Sequence, residues 1–392
     1  MVPVGNFLKA LLAERKTIPR RIKHMSNMPL GIYIHIPFCA CKCAYCDFLS
    51  FPADKETQEK YVSQLVEEIR QSERLSENYE AATVFFGGGT PSILEGERIS
   101  EIIRQLKSQF SFRKDTEITV EANPGTVNRE KLVRYREAGV NRISFGLQSA
   151  DNKELKLLGR IHTWEQFLES YRLAREEGFT NINVDLMSAL PGQTEDSYRR
   201  TLKRVLKLQP EHVSAYSLML EEGTPFYEKY KAHPELLPSE EAERQMYYDT
   251  KEILCEYGYG RYEISNYART GFACRHNLGY WDRTDYKGYG LGAASLLRNV
   301  RTSNQDRLQK YLKGYFEGSR EKLSQQAVRE EYFFLGLRKT EGVNPGIYRE
   351  HYGELLKKLQ MQRLLDEKNG RVYLTEKGID VSNYVLAQFL DD

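Results

Sequence analysis

Residues 31–48 read GIYIHIPFCACKCAYCDF, and the rest of the chain is organised around them. Ile32, Ile34 and Ile36 alternate with Tyr33 and His35, the period-two pattern of a strand with one apolar face. Pro37 ends that strand. Cys39, Cys41, Cys43 and Cys46 follow, four of the six cysteines in the chain. Such density in an otherwise cysteine-poor sequence points to a metal or a cluster rather than to disulfides.

The spacing narrows the choice. A structural zinc site asks for a second C-x2-C knuckle or a following His pair, and Cys255 and Cys274 are single and distant. The dense ferredoxin run with its trailing proline is also missing. What remains is Cys39-x3-Cys43-x2-Cys46: three thiolates for a cubane cluster, with a fourth iron free to hold a small chelating molecule. Tyr45 stands ready to bury such a cluster, and Cys41 is left over as a spare thiol. The competing reading is a zinc site or a fortuitous cysteine-rich loop. This pattern resembles the signature of radical S-adenosylmethionine (radical SAM) proteins, whose open iron takes the amino and carboxylate groups of SAM.

Length and composition set the frame. At 392 residues the chain is long enough for two or three domains. A hydrophobic content of 40% with 29% charged residues places it among soluble globular proteins. The formal net charge of +2 gives no electrostatic case for nucleic acid. No apolar run approaches the length of a membrane span. Free thiols suit a reducing compartment, so a cytoplasmic location is expected. Residues 1–28 stand apart as a basic tail with a single acid, Glu14; they are expected to be a loosely docked terminus or an upstream start, a presequence being the alternative.

From residue 29 to about 240 the pattern alternates strand and helix. Strands are expected at 82–92, 117–126, 141–149, 181–192 and 212–220, and helices at 57–75, 97–110, 128–138, 164–178 and 194–208. Short apolar strands with helical crossovers argue for an α/β fold, a full or partial (β/α)6 barrel with its chemistry at the carboxyl ends of the strands. Residues 241–325 open with a helix at about 240–256. They continue through an irregular Tyr- and Gly-rich stretch, in which GYGLG (288–292) reads as a turn, and end in a basic linker at about 300–325. Residues 326–392 read as helices, a short ribbon and a last helix, a winged-helix-like C-terminal domain more suited to packing than to DNA.

Polar residues collect where strands end. Gly88, Gly89 and Thr90 follow an apolar strand, where glycines let backbone groups approach a ligand. Glu121, Gln148 and Asp185 fall at the ends of the third, fourth and fifth strands, and Arg160 lies on the crossover after Gln148. A carboxylate suits a ribose diol, and a guanidinium suits a carboxylate.

Beyond the superfamily, YIHIPFCACKCAYCDF, FFGGGTPS, EITVEANPGT, RISFGLQSADNKELKLLGRIHT and VDLMSALPGQT resemble the oxygen-independent coproporphyrinogen III oxidase family, from about residue 30 to the C-terminus. The resemblance implies Tyr33, Gly88, Thr90, Glu121, Gln148, Arg160 and Asp185 as SAM residues, and Cys39, Cys43 and Cys46 as ligands of a 4Fe–4S cluster. The family has two branches, a radical enzyme that decarboxylates coproporphyrinogen III and a heme chaperone. The oxidase branch carries a further cysteine where this chain has Phe48. His276, Asn277, Tyr280 and Trp281 match the H-N-x-x-Y-W motif that the chaperone branch associates with heme. Both features select the chaperone branch: a protein that binds heme, with SAM and a cluster, and delivers it to an apo-hemoprotein. That acceptor is expected to be a respiratory protein at the membrane, reached peripherally, and a homodimer is a further expectation. Cys255, Cys274 and His35 stand as other candidate iron ligands.

Overall fold

The computed structural model of the protein describes residues 27–390. The basic segment read as a tail therefore lies, but for its last two residues, outside the described residues.

Six strands form the core of one sheet: β1 (Met28–Ile36), β2 (Tyr79–Gly88), β3 (Ser111–Ala122), β4 (Arg142–Gln148), β5 (Ile182–Ser188) and β6 (His212–Ser217). They lie in sequence order, each parallel to the next. Helices Lys55–Arg70, Gly96–Gln109, Arg129–Ala138, Trp164–Glu176 and Glu195–Leu206 make the crossovers. β1 and β6 are not paired with each other, so the barrel is partial.

Alternation along β1 explains the two faces. Leu30, Ile32, Ile34 and Ile36 are wholly buried in one core with Tyr61, Leu65 and Ile69 of the first crossover helix. Each such side chain contributes roughly 1.5–3 kcal/mol by leaving water. Tyr33, with Phe85, Glu121, Arg142, Ser144, Asp185 and Ser214 on the other strands, turns to the interior of the barrel. The interior is thus polar while the outer layer is aliphatic. Asp54 opens the first crossover helix by accepting the Thr57 N–H at 2.8 Å.

The region after β6 departs from the sequence expectation. The helix at about 240–256 is present as Glu240–Glu256. The stretch read as irregular and then as linker continues the same sheet on both sides. β7 (Gly260–Arg261) and β8 (Asn266–Ala268) extend it beyond β6. β9 (Tyr286–Tyr289) adds to β1 in parallel, and β10 (Ala294–Leu297), β11 (Val300–Asn304) and β12 (Glu317–Lys322) follow as an antiparallel ribbon. Every residue of β12, GSREK among them, is exposed, so its composition looks like linker. A charged outer strand is how an open sheet edge avoids further pairing. GYGLG is the end of β9 and a turn, with Gly290 and Gly292 both at positive φ.

Gln325–Gly336, Arg349–Met361 and a hairpin of β13 (Leu365–Lys368) and β14 (Arg371–Leu374) build the C-terminal domain around its own core, in which Phe333 stacks on Phe389 at 4.8 Å. Asn369 and Gly370 both take positive φ, as a two-residue hairpin turn requires.

Candidate functional site

Pro37 ends β1, and the loop that follows is pinched at its neck. Cys39 N–H donates to Phe51 O at 3.1 Å and Phe51 N–H to Pro37 O at 2.9 Å. Phe38 and Phe51 pack edge to face at the pinch. The loop between them carries the cysteines over the carboxyl end of the barrel, where all four border one cavity of about 330 Å³.

Three of the four thiols have a side-chain polar partner, two of them from other elements of the fold and one, Ser50, from the loop itself. Thr90 Oγ1 lies 3.6 Å from Cys39 Sγ, Arg160 Nη1 3.6 Å from Cys43 Sγ, and Ser50 Oγ 3.9 Å from Cys46 Sγ. Cys41 is exposed and reaches only the carbonyl of its neighbour Lys42. Groups that donate to sulfur favour thiolates and tune a cluster, so the donor set fits Cys39, Cys43 and Cys46. Among the described residues no three thiol, imidazole or carboxylate groups converge on a single ion. Gly89 completes the fit: a Cβ there would lie 2.7 Å from Phe38 O and 3.0 Å from Cys39 Sγ, so a side chain would push the loop off the strand end.

The residues expected to hold SAM are brought to the same cavity: Gly88, Gly89, Thr90, Glu121, Gln148, Arg160 and Asp185. Asp185 lies in the middle of β5 rather than at its end, because the strand runs on to Ser188. Tyr33 is a layer lower, in an interior chamber of about 190 Å³, where its hydroxyl bonds His35 Nδ1 at 3.1 Å. Gln148 has φ 75°, a strained conformation for a residue with a side chain, beside an irregularity in the β4–β5 pairing. The strain aims its amide into the cavity, where Tyr216 O–H donates to Oε1 at 3.0 Å.

Burial, and then the charge of Asp185, pushes the Glu121 carboxyl up to about 8. Burial likewise raises Asp185, against the hydrogen bonds it receives from Asn183 and Ser214. An uncharged Glu121 at neutral pH suits an acid waiting for hydroxyls or a cation to arrive.

Asn123 was not singled out in the sequence, yet it organises the site. Its Nδ2 donates to Thr90 Oγ1 at 2.8 Å, and its Oδ1 accepts from Arg160 Nη2 at 2.6 Å. Its position in EANPGT, just before Pro124, is the one signal available. Ser144 and Tyr216 line the cavity too, as interior positions of β4 and β6.

The H-N-x-x-Y-W residues are dispersed by the short helix Arg275–Trp281, which closes the opposite end of the barrel. His276 is 4% exposed, stacks on Phe85 at 5.1 Å, and has both ring nitrogens occupied: Nδ1 with Thr83 Oγ1 at 2.8 Å and Nε2 with Tyr280 O–H at 3.1 Å. Burial, then the charge of Arg142, lowers its pKa to about 3, so the ring is neutral. Its outer side borders an open groove of about 230 Å³ shared with Tyr280, Tyr286, Arg113 and Arg275. Asn277 instead faces the cluster cavity. Trp281 lies under Arg338 of the C-terminal domain, 4.5 Å from guanidinium to ring. Of the other candidates, Cys274 is buried against Glu117, Cys255 is exposed on another helix, and His35 bonds Leu49 O at 2.9 Å.

A partial barrel of six parallel strands, with a cysteine loop after β1 and polar groups lining the strand ends, defines a radical SAM protein. The family model of the Radical SAM superfamily matches residues 33–205, and that of the HemN C-terminal domain matches residues 323–381. The heme chaperone HemW of Lactococcus lactis subsp. lactis is 36% identical over 379 residues, covering 94% of this chain and 99% of that protein. The heme chaperone HemW of Escherichia coli is 35% identical over 354 residues, covering 89% and 92%. Coproporphyrinogen III oxidase of Escherichia coli, a radical SAM enzyme, superposes with a TM-score of 0.82 at 25% identity, covering 93% of this chain and 90% of that one. The chain belongs to the HemW family within the radical SAM superfamily. A 4Fe–4S cluster and SAM are the cofactors that this superfamily implies, and the cavity fits both.

Proposed function

We propose that this protein binds heme and hands it to an apo-hemoprotein, carrying a 4Fe–4S cluster on Cys39, Cys43 and Cys46 with SAM at the fourth iron. The observation that carries the reading is His276 at the groove. Its imidazole is neutral, the form that ligates iron. Tyr280 and Tyr286 offer aromatic walls to a flat macrocycle, and Arg113 and Arg275 offer two guanidiniums to its two propionates. Both arginines now pair with acids, Glu80 and Asp115, but each is about 40% exposed, so these pairs are weak and exchangeable. Iron ligation would exchange one of the two hydrogen bonds of His276. The groove is open and would hold one edge of the macrocycle, leaving the other to an acceptor.

In the upper cavity, Arg160 and Gln148 would orient the amino-acid end of SAM and Glu121 and Asp185 its polar groups, while Tyr45 and Tyr216 keep water away. Reductive cleavage of SAM is the chemistry that cluster and SAM supply together when bound. No helix among the described residues is long and apolar enough to cross a membrane.

The likeness to coproporphyrinogen III oxidase over 93% of the chain supports a second reading, radical decarboxylation of coproporphyrinogen III. Phe48, 63% exposed at the cavity rim, stands against it, since it replaces the extra cysteine of that branch. Cluster-loaded protein under anaerobic conditions is titrated with heme and, separately, incubated with SAM, a reductant and coproporphyrinogen III. Stoichiometric heme uptake without decarboxylated product is expected. Formation of protoporphyrinogen would overturn the chaperone reading in favour of the oxidase.

A further inference from the structure

The helix Arg275–Trp281 is anchored at its start by Glu117 of β3. That carboxylate accepts the backbone N–H groups of Arg275 at 3.2 Å and His276 at 3.1 Å. Successive side chains leave a helix roughly 100° apart. Here that rotation separates neighbouring residues onto two sites. His276 faces Thr83 and the lower groove, whereas Asn277 faces the cavity of the cysteines, Glu121, Gln148 and Arg160. Among the described residues the side-chain amide of Asn277 makes no hydrogen bond. An amide with two donors and an acceptor unused, beside strand-end carboxylates, is matched to the hydroxyl or amino-acid groups of SAM. Both residues also border the interior chamber between the two sites, with Tyr33, Glu121 and Asp185.

We propose that Asn277 is a SAM-binding residue, and that through this helix SAM opposes heme binding at His276. The second half rests on the heme reading given above; the first does not. With Asn277 held by SAM and the helix start held by Glu117, the helix is fixed where it now lies. There both nitrogens of His276 are occupied and the ring is buried. Iron must displace one of those bonds, so a fixed helix binds heme less well. Coupling of this kind is reciprocal, and heme weakens SAM by the same factor. The arrangement gives a loaded chaperone a way to release its cargo.

The test uses the cluster-loaded full chain under anaerobic conditions. SAM affinity is measured by equilibrium dialysis, and heme affinity by absorption titration with and without saturating SAM. In the unmodified protein the heme Kd is expected to rise roughly fivefold or more when SAM is present. Asn277→Ala is expected to lose SAM affinity by roughly five- to tenfold, the worth of one hydrogen bond, while keeping its cluster absorption. SAM affinity unchanged in Asn277→Ala would overturn the assignment. A heme Kd in the unmodified protein that ignores SAM would overturn the coupling without any variant being made. Absence of heme uptake even without SAM would instead sink the chaperone reading and leave the SAM assignment to be judged by dialysis alone.

Discussion

Arg160 Nη1 lies 3.6 Å from Cys43 Sγ, and through Nη2 the same guanidinium holds Asn123 Oδ1 at 2.6 Å and the carbonyl of Gly146. One side chain therefore ties the cysteine loop to the ends of β3 and β4. A cation and N–H donor beside a thiolate favour the reduced, more negative cluster. Arg160→Gln keeps an amide but removes the charge. The reduction potential of the bound cluster is expected to fall, read by a potentiometric titration monitored by electron paramagnetic resonance. An unchanged potential would mean that the contact is only structural.

The partners of the sulfurs also predict which cysteines hold iron. Cys39 and Cys43 each meet a donor from another element of the fold and Cys46 meets the Ser50 hydroxyl of its own loop, whereas Cys41 reaches only the neighbouring Lys42 carbonyl. Cys43→Ala is expected to abolish the cluster, and Cys41→Ala to keep full iron content after anaerobic reconstitution. Iron and sulfide analysis with the visible spectrum decides it. Loss of iron in Cys41→Ala would break the triad.

Glu121 makes the apo protein sensitive to pH. Its carboxyl holds its proton up to about 8 in the folded state but has an ordinary value of 4.5 once unfolded. Folding therefore takes up a proton between those values, and stability falls as pH rises through that window. The raised Asp185 acts in the same direction. Urea unfolding of cluster-free protein should show a loss on the order of a few kcal/mol from pH 5 to pH 8. Glu121→Gln, which cannot ionise, should flatten most of this slope and be more stable than the parent at pH 8. A parent protein with no slope would place Glu121 in a wetter site.

The strands β1 to β6 were legible because each is a short apolar run between helical segments, with polar alternation in β1, and because their glycines and most of their carboxylates fall near strand ends. The ribbon β10 to β12 was not, because its charged and polar residues give an edge strand the composition of a linker. Asp185 reads as a strand-end carboxylate, although the strand expected at 181–192 runs past it. Register with β6 settles it as strand. The position of His276 was beyond sequence reading for a different reason. It depends on Glu117, 159 residues earlier, capping the helix, and on Thr83, 193 residues earlier, receiving the ring. Motif spacing shows four residues close in sequence; only the tertiary fold separates them among groove, cavity and C-terminal domain.

That separation makes the motif testable residue by residue. His276 borders the groove, whereas Trp281 packs under Arg338, so the two should fail differently. His276→Ala removes the proposed iron ligand and leaves the cysteine loop untouched. Its heme affinity is expected to drop by roughly tenfold or more, with the cluster spectrum unchanged. Trp281→Ala removes a half-buried ring at the junction with the C-terminal domain, and it should cost roughly 1–3 kcal/mol of stability in urea unfolding while the heme spectrum keeps its ligation features. If His276→Ala bound heme as tightly as the parent, the iron ligand would lie elsewhere, and the neutral, doubly hydrogen-bonded imidazole would be a structural plug in the barrel floor. If Trp281→Ala instead changed the heme spectrum at unaltered stability, the groove would have to extend under the C-terminal domain.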